Sequence, residues 1–112
     1  MSKTIISPVK RWPGTVTLAD PLSYPQVFAW RDAIQEAQAV EGEAEPDVFT
    51  RNSALIPGIV ACVESWNLEY FPKAVTPEVF PATPPVSSSR LIAWLVEEIG
   101  KLFSEAEEIP LA

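Results

Sequence analysis

Val63-Glu64-Ser65-Trp66-Asn67-Leu68 closes the longest apolar stretch of the chain, Ala54 to Val63, and its reading decides the fold. Turned at about 100° per residue, Leu55, Ile59, Cys62, Val63 and Trp66 fall on one side, with Glu64 nearly opposite. That spacing predicts a helix over 48–68, starting after Asp47 or Asn52, with Pro57-Gly58 expected to kink or restart it. Cys62 and Trp66 are then core residues. A catalytic thiolate at Cys62 would need a neighbouring base or cation, and the chain contains no histidine.

Downstream, residues 69–87 form a connector punctuated by Pro72, Pro77, Pro81, Pro84 and Pro85. Extended at ~3.1 Å per residue, it could reach about 55 Å, enough to join parallel or antiparallel neighbours. Within it Thr76-Pro77-Glu78-Val79-Phe80 reads as a capped single turn that offers Val79 and Phe80 to the core edge. A last helix is predicted over 88–107, because Leu91, Ile92, Leu95, Val96, Ile99, Leu102 and Phe103 recur at helical spacing. Residues 108–112 are read as an acidic, fraying tail. The last helix cannot persist alone, since burial of its apolar side chains does not offset the ordering of its backbone.

Upstream, Ser23 and Gln26 have capping-box spacing with Pro25 in the first turn, so a helix is predicted over 23–40. Val27, Trp30, Ala33, Ile34, Ala37 and Val40 make its core stripe. Residues 1–22 are extended, and Thr15-Val16-Thr17-Leu18 alternates as a half-buried strand does. The predicted fold is therefore mainly α: a small helical bundle of three main helices, with a short N-terminal strand or hairpin and a proline-rich connector, forming a single domain over 1–112.

Composition narrows function. With a net charge of -7 and only eight Lys and Arg, scattered along 112 residues, the chain lacks the basic clustering that phosphate neutralisation requires. A single cysteine and no histidine exclude an intramolecular disulfide and a Cys/His zinc site. Glu97-Glu98 and Glu107-Glu108 are adjacent carboxylates that diverge by about 100° on a helix, and the glycines never cluster into a phosphate cradle. No enzyme activity, cofactor or metal is expected. Ala54 to Val63 falls short of the roughly 20 residues of a bilayer span, and Met1 to Pro8 lacks the apolar core of a signal peptide, so a soluble, cytoplasmic protein is expected.

Aromatic placement supplies candidate binding residues. On the last helix Trp94 lies about 140° from the centre of the apolar arc, and Phe28 is nearly opposite the stripe of the first helix. Aromatics outside the core stripe serve as partner anchors. Phe28, Trp94 and the connector residues Tyr70 and Phe71 are the candidate partner-binding set. The competing reading is that Trp12 in the N-terminal segment, or the connector, folds over these positions.

Val63-Glu64-Ser65-Trp66-Asn67-Leu68, read as a helix closing on Trp-Asn-Leu, resembles the tail assembly chaperones of long-tailed bacteriophages. Thr76-Pro77-Glu78-Val79-Phe80, the final helix from Leu91 to Phe103, and Pro13-Gly14-Thr15-Val16-Thr17-Leu18 are similar to the elements that flank this motif in the family. The connector departs from it, reading Glu69-Tyr70-Phe71-Pro72-Lys73 where members carry an acidic, glycine-containing turn. The resemblance implies a non-enzymatic protein of the host cytoplasm that binds the tape-measure protein, keeps it soluble and recruits tail tube subunits, with self-association open and no catalytic residues. From the residues alone, an acidic inhibitor or mimic encoded by a mobile element and a structural subunit of the virion tail remain as alternatives.

Overall fold

The computed structural model describes residues 2–107. Strands β1 (Ser2–Ile6) and β2 (Gly14–Ala19) lead into helices α1 (Tyr24–Glu41) and α2 (Val48–Cys62). Strand β3 (Val63–Leu68), the short helix α3 (Val79–Ala82) and the long helix α4 (Pro85–Glu107) follow. The strands form one antiparallel sheet in the order β1-β2-β3. The predicted mainly α bundle is thus corrected to an α+β fold, with a three-stranded sheet and four helices among the described residues. The tail predicted over 108–112 lies outside them.

The decisive difference is 63–68, which is a strand and not the end of a helix. Val16 faces Trp66 and Thr17 faces Ser65, but Leu18 faces Val63, so Glu64 is an extra residue in a β-bulge. The bulge resets the alternation of the strand. Val63 and Trp66, three residues apart, both point into the core beside Leu18 and Val16, while Glu64 is exposed and accepts a hydrogen bond from the Ser2 hydroxyl. A three-residue interval between buried side chains is also the signature of a helix, which is why the pattern reads as one. At the far end of the ladder Gly14 takes φ 141°, and a Cβ there would lie 1.8 Å from the Asn67 carbonyl oxygen. Only glycine permits this pairing.

The helical expectations fare better where capping is local. Ser23 and Gln26 form the reciprocal capping box, with Gln26 Oε1 accepting from the Ser23 N–H at 2.8 Å. Of the kink or restart expected at Pro57-Gly58, the restart does not occur: helix α2 runs from Val48 to Cys62 with Pro57 inside it. Pro57 and Ser53, whose carbonyl loses its helical donor, are both exposed, so water can satisfy that oxygen. The next residue, Gly58, is buried against Ala33 and Trp30 and sets the close approach of α1 to α2. Helix α4 begins at Pro85, ahead of the predicted 88, with proline in its first turn. The Ser88 hydroxyl donates to the Phe80 carbonyl at 2.6 Å, tying α3 to α4.

Side chains from every layer meet in one core, including Trp12, Val16, Leu18, Trp30, Leu55, Ile59, Cys62, Trp66, Phe80, Leu91, Leu95 and Ile99. Helix α2 lies at its centre, flanked by α1 and α4, which barely touch each other.

Candidate functional site

The candidate aromatics separate into two groups. Phe28 is 48% exposed on α1, its ring 6.2 Å from that of Tyr24 and capped by the Arg31 guanidinium at 4.9 Å. Arginine over an aromatic face is a cation–π contact, which holds the exposed ring in place. Of the other three, Phe71 and Trp94 meet at Trp12, and Tyr70 joins them through Phe71. Phe71 lies 5.4 Å from Trp12 edge to face, Trp94 lies 5.9 Å from it, and Tyr70 packs edge-on against Phe71 at 5.4 Å.

Exposure decides what each can do. Tyr70 is 43% exposed and keeps an accessible face, but Phe71 is only 5% exposed. Phe71 is therefore corrected from a partner contact to a core residue, filling the space between Trp12 and Trp66. Trp94 is half-buried beneath Trp12, so the N-terminal segment does fold over it and leaves only part of its ring to a partner. Trp66 is buried as expected, from a strand. Its indole N–H donates to the Pro72 carbonyl at 2.7 Å and pins the start of the connector.

Two apolar openings escaped the sequence reading. One lies between the N-terminal halves of α2 and α4, encloses ≈ 230 Å³, and is lined by Phe49, Asn52, Ile56, Phe80 and Ile92. Phe49 in its lining is 61% exposed, and an adjoining opening that shares Phe49 is lined by Val86, 73% exposed. The other is a trough of ≈ 450 Å³ between α1 and α4, walled by Trp30, Ile34, Gln38, Val96, Gly100 and Phe103. It continues over Ala37 and Leu55 to the Glu41–Arg51 ion pair at 2.7 Å. Val96 and Phe103, part of the apolar period of α4, pack against the core and are half-buried, so each also turns a face to the trough. An isolated glycine in a strongly periodic helix, Gly100, was the available signal.

Among the described residues no group of three or more His, Cys, Asp or Glu side chains is placed to hold a metal ion, and no helix is long and apolar enough to cross a membrane. Cys62 is fully buried, and burial pushes its thiol up to about 11. A thiol whose pKa is raised on folding stabilises the fold below its ordinary value near 9.0, and that contribution is lost as pH rises toward about 11. Native protein is therefore expected to resist a thiol-labelling reagent at pH 8 and to react fully in denaturant. Its stability should fall above pH 9 more steeply than that of Cys62→Ala, measured by urea midpoints. Rapid labelling of folded protein would contradict the burial.

Comparison with protein-family models, curated proteins and solved structures finds no match.

Proposed function

We propose that this chain is a non-enzymatic holding protein, a tail assembly chaperone of a long-tailed bacteriophage, acting in the host cytoplasm on the tape-measure protein and on recruitment of tail tube subunits. The observation that carries this reading is unpartnered apolar surface on an acidic body. Tyr24, Phe28, Val48, Phe49 and Val86 are all exposed, while the chain as a whole carries a charge of -7. A partner that is long, helical and apolar needs both properties together: surface that covers its side chains and charge that keeps the complex dispersed. The Trp66-Asn67-Leu68 segment retains the residues of the resemblance but sets them on β3, so the support drawn from a helix end is withdrawn. The strand before α1 and the closing helix α4 keep their places in the order of elements.

Co-expression with the tape-measure gene of a phage genome that encodes this chain tests the proposal. The tape-measure protein is expected to move from the insoluble to the soluble fraction and to co-purify with this chain, while mature particles lack it. Unchanged solubility and no co-purification overturn the reading. Recovery of the chain from purified virions favours a structural subunit instead, and salt-sensitive binding to a nucleic-acid enzyme favours the acidic mimic.

A further inference from the structure

We infer that the opening between the N-terminal halves of α2 and α4 is a binding site for an indole-class ring, a planar bicyclic aromatic that carries one hydrogen-bond donor. Size sets one limit. An apolar cavity of about 150 Å³ holds benzene, and this opening encloses ≈ 230 Å³, room for a ring system about half as large again. Phe49, Ile56, Phe80 and Ile92 supply the apolar walls on which such a ring packs. The site is independent of the holding function proposed above.

Asn52 marks the ligand as more than a hydrocarbon. It lines the opening at 8% exposure, and its one side-chain hydrogen bond among the described residues is donated, from Nδ2 to the Ser89 hydroxyl at 3.3 Å. The carbonyl Oδ1 accepts none from them. Arg51 Nε is the side-chain polar atom that is both sealed from solvent and unpaired among these residues, so Asn52 Oδ1 keeps an open side, which the opening provides. A nearly buried carboxamide costs free energy unless its groups are paired, and asparagine is also a poor helix former. An apolar residue would pack α2 against α4 better. What the carboxamide adds is an acceptor on an apolar wall, held in place through Ser89.

The other hydroxyls of the lining are engaged or wet. Ser88 donates to the Phe80 carbonyl at 2.6 Å and Thr83 to the Val79 carbonyl at 2.7 Å. Ser53 is exposed, and Ser89 also borders the adjoining opening beside Val86, where water reaches its hydroxyl. A water resting on Asn52 Oδ1 therefore has few further partners, whereas a well-held buried water has about three. A ring that displaces it and returns one N–H to the oxygen gains affinity. No charged residue is in the lining among the described residues, so a neutral ligand is favoured over an ion.

The full chain, ¹⁵N-labelled, is titrated with indole and with benzofuran, the same bicyclic skeleton with oxygen in place of N–H. Indole is expected to saturate with a Kd on the order of 0.1 mM. It should shift the side-chain amide of Asn52, one of two asparagines in the chain, and the backbone amides of Phe49 and Ser89. Benzofuran, which leaves Oδ1 unpaired, is expected to bind about tenfold more weakly. In Asn52→Ala, which removes the acceptor and enlarges the opening, the two ligands should bind within about twofold of each other. A capped Gly-Trp-Gly peptide is titrated beside them: saturation by both peptide and indole shows that a ring borne on a chain also enters, saturation by indole alone assigns the site to a free molecule, and both outcomes support the inference. No saturation by indole up to about 2 mM, equal affinity for indole and benzofuran in the unaltered chain, shifts that spare Asn52, or a preference for indole that survives in Asn52→Ala overturns it. The comparison of ligands in the unaltered chain requires no variant to fold.

Discussion

Replacing Trp66 with alanine is expected to lower the unfolding free energy by about 3–5 kcal/mol, the range for deleting a large buried aromatic. The ring is buried in the centre of the aromatic cluster, 6.0 Å from Phe80 and 6.3 Å from Phe71, and opposite Val16 on β2. Its removal leaves a cavity that three surrounding elements cannot close together. The indole N–H contributes separately, because its bond to the Pro72 carbonyl fixes the connector where the chain leaves β3. Trp66→Phe keeps most of the apolar volume and loses that bond, so it should cost roughly 1–2 kcal/mol, less than the alanine change. Chemical denaturation of the two variants checks the order. A loss under about 1 kcal/mol for Trp66→Ala would exclude the packing described here.

The second large effect concerns glycine to alanine at two helical positions, with opposite signs. In a free helix the change is favourable by up to about 1 kcal/mol. At Gly58 the new Cβ would sit 2.8 Å from the Ala33 Cβ, 3.1 Å from Trp30 Cε3 and 3.3 Å from Trp30 Cα. Two of those neighbours are fixed close to the α1 backbone and cannot rotate away, so α1 and α2 must separate. Overpacking of this kind costs roughly 1–3 kcal/mol and outweighs the gain in propensity. At Gly100 the same methyl meets open space, and the propensity gain of about 0.5–1 kcal/mol should appear undiminished. At about 4 °C or more per kcal/mol for a domain of this size, thermal melts should separate the two variants clearly. Equal shifts in the same direction would contradict the close crossing of α1 over α2.

What the sequence made visible was local. The Ser23–Gln26 capping box lies within one turn, and the apolar periods of α1 and α4 lie within one helix, so their physics is complete in a short window. Thr15 to Leu18 alternates cleanly because the irregularity in the β2–β3 pairing takes its extra residue from β3. The burial of Cys62 and Trp66 was legible for the same reason, even though the second sits on a strand. β3 was illegible because the bulge at Glu64 spaces its inward side chains as a helix would. The mainly α reading followed from that one ambiguity.

Site residues were harder to read because burial of an aromatic depends on what the rest of the chain places over it. Phe71 looked available until Trp12 and Trp66 closed around it, and Trp94 lost part of its exposure to the same Trp12. Phe28, flanked by Tyr24 and Arg31 of its own helix, and Tyr70, packed edge-on against Phe71, kept an exposed face. The trough could not be found from any single segment. Its walls come from helices that make little contact with each other, and its floor from a third.

Helix α2 passes into β3 between Cys62 and Val63 with no intervening residue. Helical rotation advances about 100° per residue and strand pleating 180°, so adding or deleting one residue at this seam would put helix and sheet out of phase at once. The α1–α2 turn and the stretch after Leu68 have slack to absorb changes in length. The seam has none, and the angular setting of the trough floor at Leu55 is thereby geared to the sheet.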